Sequence, residues 1–115
     1  MKYSNLVESI SEEYEILTRK EALKIHTLWT SKFKGKEVNT KEFYQILRSR
    51  HDKIFYTAFD YGNSKIPLTY LCKSSLGFKN FKTSLYRDIM IINKDFTWSV
   101  KFHHSFEPVL FDSNL

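Results

Sequence analysis

The sequence predicts an α+β domain in which an N-terminal pair of helices packs on a small antiparallel sheet that ends in a C-terminal hairpin. Capping-box patterns and helical spacing of apolar residues indicate helices within residues 18–50. Beyond residue 53, short runs of aromatic, branched or alternating residues are typical of strands. With 115 residues, 42% of them hydrophobic and 17% aromatic, the chain can fill one core, so a single domain spanning 1–115 is expected.

The N-terminal half contains the predicted helices. Residues 5–10 are a candidate frayed helix, and Tyr14–Leu17 is a candidate short strand. A first full helix is predicted to begin at the box Thr18–Glu21 and to end at Gly35. Its apolar positions recur every three or four residues: Ala22, Leu23, Ile25, Leu28, Trp29 and Phe33.

A second box, Asn39–Glu42, predicts a shorter helix through about Arg50. Its apolar side carries Phe43, Ile46 and Leu47. Because only a short polar loop separates the two helices, we expect them to form an antiparallel pair.

In the middle of the chain the spacing of apolar residues changes from the helical to the strand pattern. Residues 54–61, IFYTAFDY, predict a strand that is partly covered on both faces. The segment after it is interpreted as a helix, because Pro67 suits a first helical turn and Gly77 a helix end. The apolar face of this helix is expected to carry Leu68, Leu71, Cys72 and Leu76.

Residues 86–93 and 96–103 predict the C-terminal hairpin. Alternation in the second strand places Trp98 in the core and Thr97, Ser99 and Lys101 on the outer face. A two-residue loop would set Ile91 opposite Trp98 and Asp88 opposite Lys101. A three-residue loop would turn Asp88 towards the core, so the first register is favoured.

The titratable residues form no recognisable reactive motif. His103 and His104 are adjacent in a strand and point to opposite sides, so no metal site is expected there. His51–Asp52 is interpreted as a polar connection, in preference to a base with its orienting carboxylate, and His26 as a boundary residue of the first helix. Cys72, the single cysteine, is expected to be a buried hydrophobe. No catalytic activity, metal or cofactor is therefore predicted.

The net charge of +5 is concentrated in the middle of the chain. Two clusters of lysines interleave with aromatic residues and are candidates for binding nucleic acid: Lys32, Lys34, Lys36, Lys79 and Lys82. A solvated basic face is the favoured interpretation. The acidic N-terminus lacks the apolar core of a signal peptide and no run reaches membrane-spanning length, so a cytoplasmic protein without membrane contact is expected.

The C-terminal third resembles small bacterial α+β domains, some of which are immunity proteins of toxin systems. The resemblance rests on Asp88–Ile91, on the run from Asp95 to Ser99, and on His103 or His104. The chain departs from that pattern in its tail, where it has His104–Ser105 and Glu107–Val109. The resemblance implies a protein that neutralises a cognate toxin by binding it.

Protein binding is thus the predicted function, with nucleic-acid binding as the alternative. We expect the last hairpin strand to lie at a sheet edge and to bind the partner together with the tail. The predicted contact residues are Thr97, Ser99, Lys101, His103, Phe106 and Phe111.

Overall fold

The computed structural model describes residues 7–8, 10–32, 35–59, 68–75, 77–78, 88–103 and 106–112. These residues contain two helices, α1 (Arg19–Lys32) and α2 (Thr40–Ser49), and one antiparallel sheet. Its strands are β1 (Glu13–Ile16), β2 (Lys36–Glu37), β3 (Ile54–Phe59), β4 (Thr69–Lys73), β5 (Ile89–Asn93), β6 (Trp98–His103) and β7 (Phe106–Asp112). Their order across the sheet is β1-β4-β3-β5-β6-β7-β2.

The sheet dominates the fold, so the predicted helix pair on a small sheet is wrong. The two helices pack on opposite faces of the sheet instead of on each other. Ile25 of α1 packs in a cluster with Met90 and Ile92. Phe43 and Leu47 of α2 belong to a separate, larger cluster on the other face.

The segment between the helices explains the error. It is an edge strand, with Lys36 opposite Leu110 and Glu37 opposite Val109. The Val38 amide then donates to the Pro108 carbonyl oxygen at 2.8 Å. The chain therefore turns around the β7 edge and places α2 on the face opposite α1.

Helix α1 crosses the sheet from one edge to the other. It follows β1, which ends one side of the sheet, and precedes β2, which ends the other. Six strand spacings of about 4.8 Å span roughly 29 Å, and a helix of this length covers roughly 21 Å of that width. Within the described part of the chain, neither helix is long and apolar enough to cross a bilayer.

Both predicted capping boxes are confirmed. The Glu21 amide donates to Thr18 Oγ1 at 3.2 Å, and the Thr18 amide donates to Glu21 Oε1 at 3.0 Å. The Asn39–Glu42 box caps the start of α2 in a related way, because the Glu42 amide donates to Asn39 Oδ1 at 2.8 Å. The predicted apolar face of α1 is only partly right, because Leu23 and Leu28 are exposed.

The segment predicted as a third helix is strand β4, which pairs with β1 on one side and β3 on the other. Its short apolar run fits either period, and pairing with two neighbours decides the conformation. The predicted C-terminal tail is also a strand, β7. Strands β1, β3, β5 and β6 form near their predicted positions, while residues 60–67, 76 and 79–87 lie outside the described part.

The hairpin of β5 and β6 has a different register from the predicted one. Ile91 lies opposite Val100, and Met90 opposite Lys101, so residues 94–97 form a four-residue loop. The Asn93 side chain accepts hydrogen bonds from the amides of Thr97 at 2.8 Å and Trp98 at 3.1 Å, which fixes this loop. A shift of two residues preserves the faces. The prediction that Trp98 is a core residue is therefore confirmed, with 2% exposure.

Candidate partner-binding surface

The outer face of the hairpin is covered by α1. Ser99 is buried, and its Oγ accepts a hydrogen bond from Trp29 Nε1 at 2.8 Å. Phe111 is buried with its ring centroid 5.8 Å from that of Trp29. Lys101 Nζ lies 5.6 Å from the centre of the same tryptophan ring. Ser99 and Phe111 thus support the helix, and neither is presented to a partner.

Strand β6 lies between β5 and β7, so the expectation that it forms a sheet edge is wrong. Thr97 is in the hairpin loop, where its Oγ1 accepts from Asn93 Nδ2 at 2.8 Å. His103 ends β6 and is paired with Phe106 of β7. The side chains of His103 and Phe106 lie outside what the structure describes.

Of the lysines predicted for nucleic-acid binding, Lys36 is exposed on β2 and Lys32 is the last residue of α1. Lys34, Lys79 and Lys82 lie outside the described residues. The basic surface therefore stays a prediction.

Within the described residues, the candidate groups His26, His51 and Cys72 lie on separate elements, whereas His104 lies outside the described part. His26 Nε2 lies 3.1 Å from Thr69 Oγ1, and burial lowers the pKa of this imidazole. His51 is exposed in the connection after α2. Burial raises the pKa of the Cys72 thiol to about 12. Among the described residues, no group of three or more His, Cys, Asp and Glu side chains is placed to hold a metal ion.

One corner of the α1 face remains uncovered where β1, β4 and β3 run side by side. Glu13 lies opposite Lys73, which lies opposite Ile54. In the next row, Glu15 lies opposite Leu71, which lies opposite Tyr56. Side chains directly opposite each other in antiparallel strands are neighbours on the same face. We call this the corner surface, and it comprises Glu13, Glu15, Ile54, Tyr56, Leu71, Lys73 and Phe96.

The corner surface combines apolar area with charge at its margin. Ile54 is 38% exposed, whereas Tyr56, Leu71 and Phe96 are partly buried against the cluster beneath α1. The rings of Tyr56 and Phe96 lie 5.8 Å apart. Burial, with a smaller contribution from the Glu21 carboxylate, raises the pKa of Tyr56, so the phenol stays protonated and can donate a hydrogen bond.

A shallow depression of about 100 Å³ lies at the β1 side of this surface, lined by Glu13, Tyr14, Glu15, Leu71 and Lys73. Phe96, at the other side, has a φ of 57°, a left-handed conformation that is rare for a non-glycine residue. This conformation belongs to the 94–97 hairpin loop and sets where the Phe96 ring lies. The surface therefore has an apolar centre, a small concavity and both signs of charge.

The strand that borders the corner surface is held firmly in place. The buried Ser11 hydroxyl donates to the Lys73 carbonyl oxygen at 2.8 Å and accepts from the Lys73 amide at 3.0 Å. Glu12 accepts from the Ser75 amide at 2.7 Å and from its hydroxyl at 2.9 Å. These contacts lower the pKa of Glu12. The start of β1 is therefore fixed to β4 before any partner binds.

Sequence reasoning did not identify the corner surface. The alternation Glu13-Tyr14-Glu15-Ile16 was a usable signal, because it places both carboxylates on one face of a strand. The neighbours of that strand were not predictable from its sequence. Comparisons with models of protein families, with curated proteins and with solved structures give no match.

Proposed function

We propose that this domain is a non-catalytic protein-binding domain, and more specifically an immunity or inhibitor protein that neutralises a toxin by binding it. Support for protein binding comes from the corner surface. Single exposed apolar residues are ordinary, whereas neighbouring apolar residues flanked by charges are typical of interfaces. The observation that carries the proposal is the row Glu15, Leu71 and Tyr56, which α1 leaves partly open beside the exposed Ile54.

The more specific role as a toxin inhibitor rests on the sequence resemblance. The residues that carry the resemblance include Ile89, Ile91 and Trp98, all of which are buried. They build the hairpin, so the resemblance concerns the fold more directly than the contact surface. Inhibition by covering a partner requires no catalytic group, only an exposed surface that the partner can match, and the corner surface is the candidate for it.

The experiment is to co-express the chain with the product of the reading frame adjacent to its own. We expect that product to be toxic alone, and we expect growth to be restored when the chain is present. Calorimetry with the purified proteins should give an equimolar complex. Absence of both rescue and complex would contradict the toxin-inhibitor proposal.

Matched variants locate the interface. Ile54→Arg should weaken the complex by about tenfold or more, because it places a charge in the apolar centre of the contact. Leu23→Arg is the control, since Leu23 is 50% exposed on α1 and lies outside the corner surface. Equal affinities for the Ile54→Arg variant and the parent would exclude the corner surface. Loss of affinity only in Lys101→Glu would restore the hairpin surface predicted from the sequence.

A further inference from the structure

We infer that the outer edge of β1 binds an extended segment of the partner protein in which basic residues alternate with apolar residues. The inference rests on the proposed protein-binding function and adds the chemistry of the partner and its mode of binding. A segment bound in this way would continue the sheet as an additional antiparallel or parallel strand.

The backbone of β1 has hydrogen-bonding groups on its outer side. The Leu17 amide donates to the Thr69 carbonyl oxygen at 2.9 Å, so Leu17 and Thr69 form a hydrogen-bonded pair. Such pairs alternate along an antiparallel ladder, and the register therefore points the amides and carbonyls of Tyr14 and Ile16 away from β4. Among the described residues no strand pairs with β1 on that side.

The side chains of β1 differ between its two faces. Glu13 and Glu15 are both exposed on the corner surface. On the other face, Tyr14 packs edge-to-face on Tyr70 with ring centroids 5.8 Å apart, and Ile16 is 46% exposed. An added strand would place side chains beside each set, since cross-strand neighbours share a face.

The residues of β1 indicate which side chains the added strand should carry. Lysine or arginine opposite Glu13 and Glu15 forms favourable cross-strand pairs, while apolar residues beside Tyr14 and Ile16 cover exposed apolar surface. The chain as a whole has a net charge of +5, whereas β1 carries two carboxylates and no basic residue, so β1 attracts a basic segment more than an average stretch of the chain does. The occupant is therefore a strand of alternating cationic and apolar residues.

A second copy of the chain does not fit this edge. In an antiparallel pair of two β1 strands, the register that sets Tyr14 of one copy opposite Ile16 of the other also sets the two copies of Glu15 directly opposite each other. Like charges directly opposite each other destabilise a strand pair. Strand β2 at the other edge has only two residues and so offers less backbone for pairing.

Because β1 is already held in an extended conformation, binding a partner strand costs little of its conformational entropy. Ser11 and Glu12 attach the start of the strand to β4 and to the loop after it. A template that is already in the bound conformation loses less freedom when the partner strand is added. The depression beside Leu71 lies next to Glu13 and Glu15, where the stem of a lysine or arginine side chain would pass.

The test uses a short synthetic peptide of alternating lysine and valine, so it does not require the natural partner. Titration into the ¹⁵N-labelled protein should shift the amide resonances of Tyr14 and Ile16. A peptide of alternating glutamate and valine should bind about tenfold more weakly or not at all. A lysine–valine peptide with N-methylated amides on its bonding side should lose binding, because it keeps the charge but cannot pair.

Protein variants separate charge from pairing. The double variant Glu13→Lys/Glu15→Lys should weaken binding by about tenfold or more. Ile16→Pro removes an outward amide and should also abolish binding, while Ile16→Val retains it and is its matched control. If Ile16→Pro fails to fold, the N-methylated peptide gives the same information with the parent protein.

Equal binding of the lysine and glutamate peptides, equal binding of the N-methylated peptide, or shifts confined to another surface would overturn the inference. None of these results would contradict the proposed function, because that proposal is tested by rescue of growth from the toxin. Conversely, lack of rescue with intact peptide binding would reject the toxin-inhibitor role and leave the edge site standing.

Discussion

Replacing Trp98 with alanine is expected to lower the free energy of unfolding by about 3–5 kcal/mol, the range for truncating a buried aromatic residue. The indole is 2% exposed in the larger core cluster beneath α2. Its ring meets that of Phe78 edge-on at 5.6 Å, and the Arg50 guanidinium lies 5.2 Å from its centre. Truncation therefore removes packing on several sides and leaves a cavity.

The polar part of the side chain can be tested separately with Trp98→Phe. The indole Nε1 donates to Asp52 Oδ1 at 2.9 Å, and a hydrogen bond to a charged group contributes about 1.5–3 kcal/mol. Asp52 is only half-buried, so water can replace part of the lost contact. We expect Trp98→Phe to lower the free energy of unfolding by about 2 kcal/mol, most of it because this hydrogen bond is lost.

Trp29→Phe is the matched control. Trp29 donates to the neutral hydroxyl of Ser99, and such a bond contributes about 1 kcal/mol. Urea unfolding followed by far-UV circular dichroism should rank the losses as Trp98→Ala, then Trp98→Phe, then Trp29→Phe. A Trp98→Ala variant with the urea midpoint of the parent would show that the ring lies outside the core and that the faces of β6 are inverted.

Three further outcomes follow from the packing and the pKa shifts. Gly35→Ala should lower the free energy of unfolding by about 1–3 kcal/mol in urea titrations, because the added methyl would overlap Val109 Cγ1 and lie 2.7 Å from Phe111 Cζ; an unchanged free energy would contradict the packing of Gly35 against β7. The pKa of His26 lies below its ordinary value of 6.5, so the unfolded chain binds the extra proton first. Stability should therefore be full above about pH 6.5 and fall as the pH drops towards the lowered folded-state pKa, and His26→Gln should flatten this change in urea midpoints. Burial raises the pKa of Cys72 to about 12, so iodoacetamide should label the thiol only when the protein unfolds; rapid labelling of the native protein would refute this.

The features that the sequence predicted correctly are local ones. Each helix begins where side chains three residues apart cap each other, as in Thr18 and Glu21. The faces of β6 follow from alternation alone, and Trp98, Val100 and Phe102 are all buried as expected. Such patterns depend on neighbouring residues, so they survive changes in the surrounding fold.

The features that were missed depend on distant residues. Strand β4 has an ambiguous apolar run, and its conformation is decided by β1, more than 50 residues before it, and by β3. The loop between the helices became β2 because β7 offered an edge to pair with. The hairpin register depended on the Asn93 side chain, whose role in the loop no alternation pattern reveals.

The uncovered corner follows from the dimensions of the elements. A six-residue strand such as β3 is roughly 20 Å long, whereas a helix lying across it is about 10–12 Å wide. One crossing helix therefore covers only about half the length of the strands on its face. Solvent is well tolerated there by Glu13, Glu15 and Lys73, which are exposed. Ile54 and the partly open Tyr56 and Leu71 expose apolar area to solvent. Covering that area with another surface would lower the free energy. This imbalance within a single corner is the physical reason to expect that a partner binds there.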